Sequence, residues 1–146
     1  LFRDKIDDIM EQVKCPVAVF VNRGYREGAL VSFVLGGMID IFLLSYISIM
    51  LQNGHSVRLF LFDTDDEEFC RCMNDLQARY SGQITMVRFV GIEELVTKEK
   101  DGLLVMSHLS YTKLSEDELV MRELSSLLVI RRNKNKGEKN ERLEIG

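Results

Sequence analysis

Short apolar segments of strand length alternate along this chain with segments whose apolar residues recur every three or four positions. The first pattern is typical of buried β-strands and the second of amphipathic helices. Their alternation predicts an α/β fold, in which a mostly parallel sheet carries helices on both faces in three layers. The predicted strands are residues 17–21, 30–35, 57–62, 84–90, 103–106 and 127–130, and the predicted helices are residues 2–13, 39–52, 64–80, 92–96 and 115–124.

Length and charge narrow the class of protein further. The 146 residues are 46 % hydrophobic, which is enough for the core of one domain. From Arg131 onward there are six basic and three acidic residues, so the rest of a chain with net charge −4 carries −7. An acidic body repels a phosphate backbone, and we therefore expect no nucleic-acid partner. Three cysteines provide no disulfide framework and suit a reducing compartment.

One segment has the length of a membrane span. Residues 29–51 are 23 positions with a single charge, Asp40. A charge near the bilayer centre costs roughly 2.5–3.5 kcal/mol, and Gly36-Gly37 divides the segment into a β-rich half and a helical half. We therefore predict a strand followed by a helix in place of a span.

Local signals predict where the elements begin and how deeply they lie. Thr64 with Glu67, and Ser115 with Glu118, have the spacing of capping boxes and predict two helix starts. Residues 17–21 are apolar at every position, which predicts a strand buried on both faces.

Two motifs carry a resemblance to a known family. A strand preceded by Cys15-Pro16 ends at Asn22-Arg23-Gly24, and about ten residues later another strand ends in Gly36-Gly37-Met38-Ile39-Asp40. In this order the motifs resemble the cytosolic carboxy-terminal domain of monovalent cation:proton antiporters, whose fold is similar to that of universal stress proteins. The family commonly has Asp where Asn22 stands, and a more polar helix start than Met38-Ile39.

The resemblance implies a domain division and a function. Residues 1–24 would be the closing helix and strand of a preceding stress-protein-like half, residues 25–132 a second such half, and residues 133–146 a polar, disordered tail. The transporter would lie upstream, with this soluble segment as a cytoplasmic domain of an inner- or plasma-membrane protein. The implied function is regulation or assembly of a Na⁺ or K⁺:proton antiporter through protein contacts. The alternative is a nucleotide-binding sensor module.

A ligand of such a fold would bind in the crevice at the carboxyl ends of the parallel strands. Gly36-Gly37 there is either a backbone cradle for a phosphate or a tight turn, and Asp63 is either a ligand acceptor or the residue at the helix start. Nucleotide-binding stress proteins have a further glycine motif after the strand that ends here near Ser107, but no glycine lies between Gly102 and Gly137. We therefore expect no cofactor and no tight nucleotide binding. The candidate lining is Asn22, Arg23, Gly36, Gly37, Asp40, Asp63, Thr64, Gly91, Ser107 and His108.

Signs of an enzyme or a metal site do not emerge from the sequence. It contains no nucleophile elbow and no phosphate-binding loop of the P-loop type. Cys70 and Cys72, two positions apart on a predicted helix, point about 200° away from each other. His55 and His108 lack the spacing of zinc ligands. We therefore predict a chain that is not an enzyme and holds no metal.

The helix predicted at residues 39–52 is unusually apolar. Its apolar residues cover an arc of about 220°, whereas one packed face needs little more than about 100°. The surplus is covered either by another element of the chain, such as the preceding half, or by a protein. The protein candidates are a second copy in a homodimer and the transporter domain. The predicted interface residues are Ile39, Phe42, Leu43, Tyr46, Ile47 and Met50.

Overall fold

The computed structural model describes residues 2–62, 65–89 and 91–132, and it confirms a mixed α/β protein with a mostly parallel sheet. Asp63, Thr64 and the predicted tail at 133–146 lie outside the described residues. The strands are β1 (Val17–Val21), β2 (Val31–Leu35), β3 (Val57–Phe62), β4 (Ile84–Phe89), β5 (Leu103–Ser107) and β6 (Ser126–Arg131). The helices are α1 (Phe2–Gln12), α2 (Leu44–Gln52), α3 (Glu67–Arg79), α4 (His108–Leu114) and α5 (Glu118–Glu123), with 3₁₀ turns at Met38–Leu43 and Ile92–Leu95.

The six strands lie in the order β1-β6-β5-β2-β3-β4, and all neighbours are parallel except β1 and β6. From β2 the chain steps outward through β3 to β4, then returns to the other side of β2 for β5 and β6. Because crossovers between parallel strands are right-handed, these two directions place their helices on opposite faces of the sheet.

Two apolar clusters, one on each face, make up the core. One joins α1, α4 and α5 to the sheet through buried side chains such as Met10, Tyr111 and Val120. The other joins the first 3₁₀ turn, α2 and α3 to the opposite face through Leu43, Ile47 and Met73, among others. None of the helices in the described ranges combines the length and apolar character that crossing a membrane requires.

The expectation of a doubly buried strand at residues 17–21 is wrong. This segment is β1, an edge strand whose ladder partner is β6, and Phe20 on it is 49 % exposed. An all-apolar sequence predicts burial on both faces, but it holds no information about which strand is its neighbour. The outcome is a short apolar edge.

Both predicted helix starts move toward the carboxyl terminus. Asp66 caps α3 by accepting a hydrogen bond from the Phe69 N–H, and Asp117 caps α5 in the same way. Ser115 instead ends α4, and its hydroxyl donates to the Thr112 carbonyl at 2.9 Å. The capping box predicted from Ser115 is therefore wrong, because an aspartate two residues later lies at the helix start.

The stretch predicted as one helix at residues 39–52 has two parts. A 3₁₀ turn occupies Met38–Leu43, and α2 follows directly from Leu44. Gly37, before the turn, has φ of 135°, a backbone conformation that side chains with a Cβ rarely adopt. The structure also adds α4, a segment that the sequence patterns assigned to no element.

Candidate functional site

The strand order reverses between β2 and β5, because the connections after these two strands leave in opposite directions. A crevice opens at the carboxyl ends of the strands at such a switch point, and it is where open α/β sheets bind ligands. Gly36 follows β2 at this point, and Ser107 ends β5. The crevice between them is the candidate ligand site.

The side chain of Asp40 fills this position. Its Oδ2 accepts a hydrogen bond from the Gly36 N–H at 2.7 Å and another from the Ser110 hydroxyl at 3.1 Å. The carboxylate is buried, with the Asp40 residue 1 % exposed, and Oδ1 has no hydrogen-bond partner in the part of the chain that the structure describes. Asp40 thus links the end of β2 to α4 across the switch point.

This arrangement determines what the crevice attracts. A backbone N–H at the end of a parallel strand is the donor that a phosphate would use, and that of Gly36 is already paired with a carboxylate of the same chain. A second anion placed there would meet the Asp40 charge in a low-dielectric environment, which is unfavourable. The crevice is therefore poorly suited to a phosphate group.

Ser107 and His108 take part in structural contacts at the same edge of the sheet. The Ser107 hydroxyl accepts a hydrogen bond from the Ser110 N–H and caps α4. The His108 Nε2 lies 3.0 Å from the Asp7 Oδ1 and ties α4 to α1. Both residues were predicted from the sequence, but Ser110 was not. The signal that could have revealed it is its position three residues after Ser107, the serine that ends β5.

Asn22 and Arg23 lie at the opposite edge, so their assignment to the crevice is wrong. Since β1 is antiparallel, its carboxyl end reaches the amino end of β6, where Val21 pairs with Leu127. The Arg23 guanidinium donates to the carbonyls of Met121 and Leu124 and holds the end of α5. Of the remaining candidates, Asp63 and Thr64 lie outside the described residues.

The amino ends of the parallel strands carry a partly exposed ion pair. Arg58 on β3 donates to the Glu99 carboxylate at 3.1 Å, and this hydrogen bond is the main cause that holds the pKa of Glu99 below its ordinary value. The Glu99 side chain is 46 % exposed, so solvent screens the pair and its contribution to stability is small. It makes no candidate site.

The predicted interface residues divide into a buried and an exposed set. Leu43 and Ile47 are 0 % exposed and belong to the core, while Phe42 and Met50 are half-buried. Ile39 and Tyr46 are exposed, and Ile49, which belongs to the apolar arc but not to the predicted interface residues, is exposed as well at 55 %. The exposed apolar surface of α2 is therefore the ridge formed by Tyr46 and Ile49.

An apolar groove runs beside this ridge. Its volume is about 370 Å³, and it lies between α2 and the faces of β5 and β6. We call it the sheet groove. Its lining contains no charged residue and consists of Tyr25, Val31, Phe33, Tyr46, Ile49, Met50, Leu103, Val105, Leu128 and Ile130.

The fold explains why the groove is open. The helices on this face belong to the crossovers from β2 to β3 and from β3 to β4, which lead away from β5. The chain between β5 and β6 passes over the other face, where α4 and α5 pack. In the described residues, the half of this face over β5, β6 and β1 therefore has no helix of its own, although Val105 and Ile130 on it are only 3 % and 6 % exposed and belong to the same core cluster as α2.

Metal ligands do not cluster in the described ranges: no three His, Cys, Asp or Glu side chains come close enough to hold an ion. Comparison with models of known protein families gave no match, and neither curated proteins nor solved structures resemble this chain detectably.

Proposed function

We propose that this chain is a non-catalytic regulatory or assembly domain of a monovalent cation:proton antiporter, on the cytoplasmic side of the membrane, acting through protein contacts. One observation carries the proposal: the ligand crevice holds the chain's own Asp40 carboxylate, whereas an uncharged apolar ridge and groove remain open on the surface. A domain with a closed crevice and an open apolar face is built to contact proteins.

The arrangement of the strands supports a fold of the universal stress protein type. The five parallel strands lie in the order β4-β3-β2-β5-β6. The first of them along the chain, β2, is therefore central, with β3 on one side and β5 on the other. This is the order of doubly wound nucleotide-binding sheets. It agrees with the resemblance of the sequence motifs to the antiporter domains.

The position of α1 and β1 supports a tandem of two halves. In both α1–β1 and α5–β6 a helix precedes a strand, both helices pack on the same face, and the two strands are antiparallel neighbours. A local two-fold axis perpendicular to the sheet therefore relates the two units. Such symmetry is expected if residues 1–24 close a preceding half and residues 25–132 form the next.

The test is the exchange of Na⁺ or K⁺ for protons by the complete gene product in membrane vesicles. We expect exchange, and we expect removal of residues 25–132 to change its rate while the transporter remains in the membrane. A complete product that performs no such exchange would contradict the proposal.

The second candidate is a nucleotide-binding sensor, which the switch point between β2 and β5 favours. The Gly36 N–H already donates to the Asp40 carboxylate and is not available to a phosphate. We therefore expect titration calorimetry with ATP, ADP and AMP in the presence of Mg²⁺ to give no binding, or a Kd weaker than about 100 μM, which corresponds to a binding free energy of roughly −5.5 kcal/mol.

A matched pair of glycine variants makes this titration decisive. Gly37 and Gly82 both have positive φ with open space where a Cβ would lie, so alanine introduces similar backbone strain at each. Gly37 borders the crevice, whereas Gly82 lies in the turn between α3 and β4 at the other edge. A micromolar Kd that is lost in Gly37→Ala and kept in Gly82→Ala would establish the sensor instead.

A further inference from the structure

We propose that in the complete protein the outer edge of β1 pairs with a further strand, parallel to β1 and contributed by the preceding half, an inference that rests on the proposed tandem of halves. One continuous sheet would then join the two halves. In the described residues β1 has β6 on one side and no strand on the other. The symmetry of the α1–β1 and α5–β6 units indicates what covers this edge.

The β1–β6 ladder locates the local two-fold axis. Val19 and Val129 face each other in the middle of the ladder, so a rotation about this point places each strand on the other. The helices obey the same relation. Met10 on α1 and Val120 on α5 lie equally far before Val19 and Val129 in the sequence, and both are buried in the same apolar cluster. The axis therefore relates whole helix–strand units.

Reciprocal arginine contacts follow the same symmetry. Arg131, at the end of β6, donates to the carbonyls of Val13 and Cys15, which follow α1. Arg23, just after β1, donates to two carbonyls at the end of α5. Each unit thus uses an arginine at the carboxyl end of its strand to hold the end of the other unit's helix.

Equivalent positions on the two strands differ in exposure. The rotation places Phe20 on Ile130, on the same face of the sheet, yet Phe20 is 49 % exposed and Ile130 only 6 %. Likewise Val19 is half-buried, whereas Val129 is 0 % exposed. In the part of the chain that the structure describes, β6 has a strand on each side and β1 has only β6. The exposure of β1 is therefore that of a strand without the neighbour that β5 provides for β6.

Symmetry also gives the direction and the source of the missing strand. Because β5 lies parallel to β6, its equivalent lies parallel to β1. The β1 edge of a second copy, paired through a two-fold axis perpendicular to the sheet, would be antiparallel instead. In the chain β5 precedes α5 and β6, so its equivalent precedes α1 and β1. The occupant is therefore a strand of the preceding half.

The chemistry of the edge suits a strand as its partner. Open edges expose unpaired backbone N–H and C=O groups, and proteins commonly protect them with charges, proline or bulges. At the other edge of the sheet, β4 carries the exposed Arg88. No residue of β1 is charged and none is proline. An extended segment can therefore add to β1 through main-chain hydrogen bonds without burying a charge.

Maleimide labelling of single cysteines tests whether the edge is covered. Phe20→Cys is made in the 146-residue chain and in the complete gene product, each with every native cysteine replaced by serine. We expect it to react at least about tenfold more slowly in the complete product, because a side chain covered as Ile130 is reacts only through local opening. Leu119→Cys is the matched control, since Leu119 is 74 % exposed on α5, away from the edge, and should react at similar rates in both proteins.

Two results would overturn the proposal. One is equal labelling of Phe20→Cys in the two proteins. The other is protection of Phe20→Cys in the 146-residue chain alone that increases with protein concentration, because it would assign the edge to a second copy.

Amide hydrogen exchange, measured by mass spectrometry on the unsubstituted proteins, gives the second readout. Along β1 successive N–H groups point alternately to β6 and to the outer edge, so about half of them should exchange quickly in the 146-residue chain. In the complete product we expect both sets to be protected, and unchanged exchange of β1 would contradict a paired strand. Neither measurement involves ion transport. A covered β1 in a product that transports no ions would refute the proposed function alone, and an open β1 in an active antiporter would refute this inference alone.

Discussion

Truncating Ile47 to alanine should lower the free energy of unfolding by about 2–5 kcal/mol, the usual loss for a buried isoleucine. Ile47 is 0 % exposed and packs from α2 against the sheet in the second apolar cluster. At roughly 2–4 °C per kcal/mol for a protein of this size, the melting temperature should fall by about 4–20 °C. Calorimetry or circular dichroism measures the change.

Ile9→Ala is the control for this experiment. It is the same substitution in a helix, but Ile9 on α1 is 39 % exposed and loses fewer contacts. We expect a clearly smaller fall in melting temperature. Equal losses at the two positions would mean that α2 does not pack as described.

Replacing Asp40 by alanine should destabilise the protein by about 1–3 kcal/mol, because the Ser110 hydroxyl loses its acceptor in a buried place. The N–H of the exposed Gly36 loses the same acceptor but can donate to water instead. Urea unfolding measures the effect. Asp75→Ala, an exposed position on α3, should change the stability by no more than about 0.5 kcal/mol.

A double-mutant cycle separates the hydrogen bond from general effects of the substitution. If Asp40 and Ser110 interact as the structure shows, the losses of Asp40→Ala and Ser110→Ala should not add, and the coupling should be at least about 0.5 kcal/mol. Additive losses would indicate that the carboxylate does not bridge β2 and α4.

The sequence predicted the kind of every strand and of every helix except α4, because its signals are local. The apolar segments that became β2, β3 and β5 are bounded by glycine, asparagine or serine, and the spacing of Phe69, Met73 and Leu76 marks α3. The direction of β1 had no such signal. It is set by pairing with β6, more than a hundred residues away, so the end of the sheet at which Asn22 and Arg23 lie was not predictable.

In the candidate site, too, some features were predictable from local sequence signals and others were set by distant contacts. The strand ends at Gly36 and Ser107 were predicted to meet, and they do, because parallel strands share one carboxyl edge. The direction of the Asp40 carboxylate was not predictable. It turns back four residues to the Gly36 amide, and its second donor comes from α4, a helix that the patterns did not reveal.

The pairing of β1 with β6 bears on how the chain is made. Val17 meets Arg131 at one end of this ladder, and Arg131 also donates to the carbonyls of Val13 and Cys15. On the ribosome β1 is synthesised more than a hundred residues before its partner β6. At about 5–20 residues per second, the interval is roughly 6–23 s. Throughout it, the uncharged strand β1, four of whose five residues have strong β-propensity, lacks its ladder partner. Yield of the nascent protein should therefore depend on chaperones that shield this segment until translation of β6 is complete.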